Sequence, residues 1–181
     1  LREFKPQELS GLAWSFGKLN IKHAELFCGL SKEAVAKIRR FKPQELSNLA
    51  WAYGRAAARH AELFGVLAGE ALGKLAAFTP QGLSNLVWAY ATLGLADGEL
   101  LNAVAQEAVG KVKAFKEQDL SNHAWAFAAL AVHDAVLLRA LAAEASLRLR
   151  SGRPSHLAIS NLAWAFATLS WADPELYQTI A

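Results

Sequence analysis

Apolar residues along the chain follow the spacing of two amphipathic helices that alternate with each other. The first kind begins at a proline, which suits the first helical turn because its missing N–H needs no partner within the helix. Its starts are Pro6, Pro43 and Pro80. In one copy the residues at i, i+3, i+4, i+7 and i+11 are Leu46, Leu49, Ala50, Tyr53 and Ala57. This spacing predicts a helix with one buried face.

The second kind of helix begins near a residue that can cap it. An Asp at this position accepts a hydrogen bond from an unpaired amide of the first turn. The predicted starts are His23, His60, Asp97, Asp134 and Asp173. Two copies carry the expected apolar stripe, which is Leu26, Leu30, Ala34 and Ile38 in one and Leu100, Val104, Ala108 and Val112 in the other. The chain therefore reads as a series of helix pairs.

A fixed period relates these helix pairs to one another. Five tryptophans stand 37, 37, 37 and 39 residues apart, namely Trp14, Trp51, Trp88, Trp125 and Trp164. The same 37-residue step relates Phe4, Phe41, Phe78 and Phe115. The units run over residues 4–40, 41–77, 78–114, 115–153 and an incomplete 154–181. Chance does not produce a period of this regularity.

The period predicts an all-α fold, an α-solenoid of stacked antiparallel helix pairs with a 37-residue repeat. Two short helices cannot bury their apolar faces alone, whereas stacked pairs cover each other. Residues 1–181 then form a single repeat array. The sequence opens on Leu1 and contains no methionine, so we expect it to be a segment of a longer protein.

The block at residues 43–53, Pro-Gln-Glu-Leu-Ser-Asn-Leu-Ala-Trp-Ala-Tyr, has copies at 80–90 and 117–127. This block resembles the heptatricopeptide and octotricopeptide repeats, helical-pair arrays that are associated with RAP domains in organellar proteins. The resemblance covers essentially the whole chain. It implies RNA binding, RNA processing and stability, or ribosome assembly, in mitochondria or plastids.

Composition narrows the classes of function. The 19.6 kDa chain is 54% apolar, enough for a sizeable core, and its one cysteine, Cys28, has no partner for an internal disulfide. The sequence carries no phosphate-loop, zinc-protease or nucleophile-elbow motif. We therefore expect no catalytic residue, metal, cofactor or small-molecule substrate. Polar residues interrupt the longest charge-free stretch, so we predict no membrane segment.

One set of basic residues has a structural explanation. Each member follows a glutamate by four residues, a favourable helical pair worth about 0.2–0.5 kcal/mol. The cations are Lys37, Lys74, Lys111 and Arg148, and the glutamates are Glu33, Glu70, Glu107 and Glu144. We expect these pairs to support the helices.

The remaining basic residues gather where one unit joins the next. Residues 37–42, 74–79, 111–116 and 148–153 contain 11 of the 19 lysines and arginines and no acid. Stacking would place those without a glutamate partner along one side of the array. We call this side the basic edge, and it comprises Arg39, Arg40, Lys42, Lys113, Lys116, Arg150 and Arg153. The edge would also present the amide ends of the first helices, which favour anions. Cations at helix C-termini are expected without any ligand, so this simpler reading stays open.

The tryptophans and serines that recur in the first helix are better explained by packing between units than by contact with RNA. The tryptophans would stack on bases in a single-strand binder, but burial between units is the favoured explanation. The recurrent serines are small enough for close helix contact, and they are Ser10, Ser47, Ser84, Ser121 and Ser160. We predict that both sets pack.

A row of asparagines is harder to explain by packing, because Asn is a mediocre helix former. The row consists of Asn48, Asn85, Asn122 and Asn161, with Gly11 in the first unit. It is either a ladder of amides between units or a polar surface facing RNA bases. Seven residues further on, the units vary, with Lys18, Arg55, Thr92, Ala129 and Thr168. This series fits a modular base reader or a drifting surface position.

These observations favour a non-enzymatic protein that binds single-stranded RNA along the basic edge. The asparagines together with Lys18, Arg55, Thr92 and Thr168 would then face the bases. The alternative is a scaffold that binds other proteins of an organellar ribonucleoprotein.

Overall fold

A computed structural model describes residues 1–152 and 155–180. The regular secondary structure of this part of the chain consists of helices, without strands. The first helices of the pairs are α1 (Pro6–Lys18), α3 (Pro43–Ala56), α5 (Pro80–Thr92), α7 (Glu117–Ala129) and α9 (His156–Thr168). The second helices are α2 (Ala24–Lys37), α4 (Ala61–Leu72), α6 (Gly98–Lys111), α8 (Ala135–Ser151) and α10 (Pro174–Ile180). Short 3-10 turns at Ile38–Arg40, Leu75–Ala77 and Val112–Ala114 lead from one pair to the next.

The predicted helix starts are confirmed. Proline occupies the first position of α1, α3 and α5. The side chain of His23 accepts from Leu26 N at 3.2 Å, and Asp97 accepts from Leu100 N at 3.0 Å. One predicted stripe residue is wrong: Ala57 lies just beyond α3 with a φ of 52° and is exposed.

The helices pack in two layers. Along one layer α1, α3, α5, α7 and α9 contact each other in succession, and along the other α2, α4, α6, α8 and α10 do the same. Small residues allow close approach in the first layer, since a Cβ added to Gly17 would lie 3.0 Å from Ala52 Cα. Ala52, Ala89, Ala126 and Ala165 are fully buried there. These positions therefore have no contact with a ligand.

Aromatic side chains join the two layers. The Tyr53 hydroxyl donates to the Phe27 carbonyl at 2.7 Å, and Tyr90 donates to Phe64 in the same way at 2.7 Å. Burial raises the pKa of both hydroxyls well above the ordinary value, so that they remain donors. Four of the recurrent serines are buried as predicted, whereas Ser160 is exposed.

The glutamate–cation pairs form as predicted, and each cation also binds backbone carbonyls of the segment that leads into the first helix of its own unit. Lys74 Nζ lies 2.6 Å from Glu70 Oε1 and donates to the carbonyls of Arg39 and Phe41 at 3.2 and 2.6 Å. We call this arrangement the loop clamp. Equivalent clamps are made by Lys37 on Arg2 and Phe4, by Lys111 on Ala76 and Phe78, and by Arg148 on Lys113.

The hydrogen bond in the first clamp affects the carboxylate of Glu33. The bond from Lys37 Nζ to Glu33 Oε2, 2.9 Å long, holds the pKa of the Glu33 carboxyl below its ordinary value. The charged form is favoured because an ammonium donates to it. Each clamp is therefore a cation held between a carboxylate and two backbone carbonyls, or one carbonyl in the case of Arg148.

Unit four contains a buried histidine where other units carry leucine. His123 is fully buried, and its Nδ1 lies 2.9 Å from Ser84 Oγ and 3.1 Å from the Asp119 carbonyl oxygen. Its Nε2 has no hydrogen-bond partner among the described residues. Burial lowers the pKa of the ring to about 4.

Replacing a clamp lysine should lower the stability of the array. We expect Lys74→Met to reduce the free energy of unfolding by about 1–3 kcal/mol, because the carbonyls of Arg39 and Phe41 and the Glu70 carboxylate lose their charged donor. Urea denaturation followed by circular dichroism measures the change. Lys32→Met, at an exposed position of α2, is the matched control, and equal losses in both variants would contradict the role of the clamp.

His123 should make the protein sensitive to acid. With a folded pKa of about 4 against about 6.5 for a free ring, the unfolded chain binds more protons below pH 6.5. Stability is therefore lost as the pH falls from 6.5 towards 4, by about 2 kcal/mol between pH 7 and pH 5.

We expect His123→Leu to remove most of this loss, as measured by urea denaturation at both pH values. His133→Gln, at an exposed histidine, should retain the loss. An unchanged pH dependence in the His123→Leu protein would contradict this assignment.

Candidate nucleic-acid interface

Six of the seven residues of the basic edge lie in the described part of the chain, and all six are exposed. Arg39 and Arg40 belong to the first 3-10 turn and Lys113 to the third. Lys42 and Lys116 immediately precede α3 and α7, and Arg150 lies in the last turn of α8. Arg153 lies outside the described residues.

The loop clamps bring the loops of successive units together. Lys74 binds the carbonyls of residues 39 and 41 and stands immediately before the Leu75–Ala77 turn. Lys111 binds residues 76 and 78 and precedes the next turn, and Arg148 binds the Lys113 carbonyl at 2.8 Å. Lys74 and Lys111 thus each attach one loop to the start of the next, and Arg148 attaches the loop of Lys113 to α8. The loops at residues 38–42, 75–79 and 112–116 are therefore consecutive neighbours.

The positive charge along this edge is interrupted. The loop between units two and three carries Ala76, Ala77 and Thr79. The corresponding positions of the loop between units one and two are Arg39, Arg40 and Lys42. At the far end, Arg150 Nη2 lies 3.0 Å from Glu175 Oε1, an exposed ion pair. The edge therefore consists of one cationic loop, one neutral loop and a second cationic loop.

At most of the first-helix starts, a carboxylate accepts from the amide of the residue that immediately precedes the helix. Glu45 Oε2 accepts from the backbone N–H of Lys42 at 2.7 Å, and Asp119 Oδ2 accepts from Lys116 N at 2.9 Å. Glu8 does the same for Lys5 at 2.7 Å, and Glu117 Oε1 accepts from Ser155 N at 2.6 Å. These acids lie outside the linking segments from which the basic edge was defined, but their side chains point back towards those segments. They offset part of its positive charge.

The start of α5 differs from the others. Its third residue is Gly82, where α1, α3 and α7 carry Glu8, Glu45 and Asp119. The Thr79 hydroxyl accepts from Gly82 N at 3.1 Å. Among the described residues, no carboxylate accepts a hydrogen bond at this helix start.

The asparagine row faces solvent in part. Asn48, Asn85, Asn122 and Asn161 are half-buried, and none of their side chains hydrogen-bonds to another protein group within residues 1–152 and 155–180. The described structure therefore shows no amide ladder between the units. Free amides at the surface can both donate and accept hydrogen bonds.

The variable residues lie elsewhere along the first helices. Lys18, Arg55, Thr92 and Thr168 are exposed and occupy the C-terminal ends of α1, α3, α5 and α9. Seven helical residues separate each of them from its asparagine slot, which corresponds to about 10 Å along the axis. The structure does not bring them to the basic edge.

Two grooves open beside the asparagine row. The larger, of about 560 Å³, lies between α3 and α5 and is lined by residues that include Lys42, Asn48 and Asn85. The smaller, of about 390 Å³, lies between α1 and α3, and its lining includes Lys42, Glu45 and Asn48. Neither groove is lined by Lys18, Arg55, Thr92 or Thr168. Lys42 of the basic edge therefore lies beside two of the asparagines, Asn48 and Asn85.

The grooves contain residues that the sequence reading did not select. Gln44 lines both of them, Gln7 lines the smaller and Gln81 the larger. These glutamines follow the helix-starting prolines at the 37-residue step, and that recurrence at a polar position is the signal that would have found them. Trp14 also lines both grooves.

The tryptophans are less buried than packing alone predicts. Trp51, Trp88 and Trp125 are half-buried and pack against the core, but Trp14 is 41% exposed and Trp164 is 47% exposed. The ring centroids of Trp14 and Trp51 are 6.2 Å apart, with planes tilted by 31°. Packing accounts for the three central residues, while Trp14 presents an indole surface to the grooves.

Within the described residues, histidine, cysteine and acidic side chains form no group of three or more that could ligate a metal ion. Of the helices described here, none combines the length and apolar character that crossing a bilayer requires.

Comparison with known proteins identifies a family. The family model for RNA-editing substrate-binding complex 6 protein matches residues 2–177. A search of curated proteins returned no match. Because the family match spans nearly the whole chain, this protein belongs to the RNA-editing substrate-binding complex 6 family, a family of RNA-associated helical proteins.

Proposed function

We propose that this protein binds single-stranded RNA along the basic edge and has no enzymatic activity of its own. The observation that carries the proposal is that Lys42, an exposed cation of the basic edge, lines a groove together with the free amides of Asn48 and Asn85. Ammonium and guanidinium groups bind phosphates of any sequence, and amides bind base edges. The interface combines both kinds of group.

The proposed architecture is an α-solenoid of 37-residue helix pairs, of the heptatricopeptide and octotricopeptide type. The two successive layers of helices and the recurring clamps support this interpretation. In such an array every unit adds one loop and one first helix to the same side. A strand of RNA then meets equivalent groups at regular intervals.

We assign the two sets of candidate residues to different parts of the strand. Arg39, Arg40, Lys113, Lys116 and Arg150 would bind phosphates, as would Arg153, and Lys42 would do so at the entrance to the grooves. The asparagines would face bases. The variable residues Lys18, Arg55, Thr92 and Thr168 would contact bases only if the strand crosses the first helices towards their C-terminal ends.

The family supports a multiprotein setting for this function. Its name refers to an RNA-editing substrate-binding complex, so we propose that this protein works with other ribonucleoprotein proteins. RNA-editing complexes of kinetoplastids are mitochondrial, which favours a mitochondrial location over a plastid. A purely protein-binding scaffold is the alternative that the following experiment excludes or supports.

Salt dependence tests the role of the basic edge. Affinity for a fluorescein-labelled 20-nucleotide RNA, measured by anisotropy, should fall linearly with the logarithm of salt concentration because bound phosphates release counterions. The triple variant Arg40→Gln, Lys113→Gln, Lys116→Gln should bind all sequences more weakly and reduce the slope by about 2, at about 0.7 for each phosphate contact on a single strand.

The control removes three exposed cations that lie away from the edge, with the same change in net charge. It combines Lys22→Gln, Arg59→Gln and Arg139→Gln, and it should retain the wild-type slope. Equal effects of the two triple variants would rule out the edge as the site. Undetectable RNA binding by the wild-type protein would support the scaffold.

A further inference from the structure

The groove between α3 and α5 has walls of unpaired polar side chains. Gln44 and Asn48 of α3 line it on one side, and Gln81 and Asn85 of α5 line it on the other. None of these four amides hydrogen-bonds through its side chain to another group within the described residues. Each can both donate and accept, which matches the mixed donors and acceptors of a nucleobase edge.

The charge in this groove is of one sign. Among the described residues that line it, Lys42 is the single charged one. The neighbouring groove between α1 and α3 shares Lys42 but also contains Glu45. The difference arises at Gly82, which stands where Glu45 and Asp119 stand in other units.

An exposed aromatic ring completes the lining. The indole of Trp14 borders the groove and is 41% exposed. Stacking of a base on such a ring contributes about 1–3 kcal/mol in single-strand binders. A cation, four amides and an indole therefore face one space of about 560 Å³.

We propose that this groove binds one nucleotide of the RNA strand more strongly than the other inter-unit positions do. Lys42 would bind the phosphate, the amides of Gln44, Asn48, Gln81 and Asn85 would bind the base edge, and Trp14 would contact the base face. This inference rests on the proposed function and adds a particular subsite to it. Gly82 sets the subsite apart because α5 contributes no carboxylate to the groove, while Glu45, which accepts from Lys42 N, lines the neighbouring groove instead.

A carboxylate introduced into the groove should weaken binding. Gln81→Glu changes an exposed side chain without changing its size, and it places a negative charge in the groove that Lys42 also lines. We expect affinity for the 20-nucleotide RNA to fall about tenfold, as measured by anisotropy at low salt. Gln106→Glu, at an exposed position of α6, is isosteric in the same way and should change affinity less than twofold.

A second variant recreates the acid that other units carry. Gly82→Glu should lower affinity to a similar extent, and its control Gly69→Glu lies in exposed surroundings with no neighbour within 4 Å. Because a Cβ at residue 82 would lie 3.3 Å from Phe78 and from Thr79, circular dichroism must first show a native helical spectrum. Gln81→Glu decides the question if Gly82→Glu does not fold.

Fluorine NMR of protein labelled with 5-fluorotryptophan reports on the groove itself. Loss of one resonance in Trp14→Phe assigns the Trp14 signal, which should shift on addition of RNA and shift less in the Gln81→Glu protein. An oligoglutamate of the same length is the competing probe. Displacement of RNA by this peptide together with the same Trp14 shift would show a general anion site and overturn the nucleotide assignment.

The outcomes for the groove and for the basic edge are separable. If the triple edge variant weakens RNA binding while Gln81→Glu matches Gln106→Glu, the groove assignment is wrong and the proposed function stands. If neither the edge variant nor Gln81→Glu has an effect, both proposals are wrong. Weaker binding by Gln81→Glu and a smaller Trp14 shift support the groove.

Discussion

A cation held between a carboxylate and the backbone of the preceding loop is the interaction on which this arrangement depends. Lys74 illustrates it, with Glu70 in the last turn of α4 and the carbonyls of Arg39 and Phe41 in the loop that leads into α3. The glutamate keeps the side chain in place, and the carbonyls receive charged donors instead of water. Lys37, Lys74 and Lys111 each stand immediately before a 3-10 turn, so the clamps of Lys74 and Lys111 hold consecutive loops next to each other. The position of the exposed cations thus depends on clamp cations that carboxylate and backbone groups already occupy.

Close packing of the first helices determines which residues remain for recognition. Ala52 and Ala89 are fully buried where the helices meet, and Gly54 lies against Trp88, since an added Cβ would be 2.9 Å from Trp88 Cζ3. Contact at this distance removes one face of each helix from solvent. The side chains beside that face, such as Asn48 and Gln44, are left at the surface with their amides free. Recognition groups and packing groups are thus neighbours on the same helix.

Much of the architecture could be predicted from the sequence, because the features concerned are local. Proline at a helix start, a capping Asp97 and an i, i+4 pair such as Glu70 and Lys74 involve residues within one helical turn of each other. The period then places copies side by side. Burial of Tyr53 and exposure of Arg40 follow from these elements.

The features that escaped prediction depend on neighbours that are not local or on the direction of a side chain. The linking segments contain no acid in the sequence, so the effect of Glu45 on the basic edge was not predicted. Glu45 lies in the first turn of α3, and its side chain turns back to accept from the N–H of Lys42. The burial of Trp14 was overestimated because a recurrent residue is not equally covered in every unit. Ala57 continues the apolar spacing, but the helix ends before it in a left-handed turn. The groove depends on Gly82, whose significance appears only once α3 and α5 are seen to pack together.

The neutral loop between units two and three separates the two cationic loops that a bound polyanion would contact. Lys42 and Lys116 stand two units apart, with Thr79 between them, and two steps of helix packing correspond to about 16–20 Å. In the proposed complex attachment would be bivalent: each cationic loop alone would be a weak anchor, and the gain would come from engaging both with one flexible ligand. Affinity would then depend on whether the polymer is long enough to reach both loops, more than on its charge density.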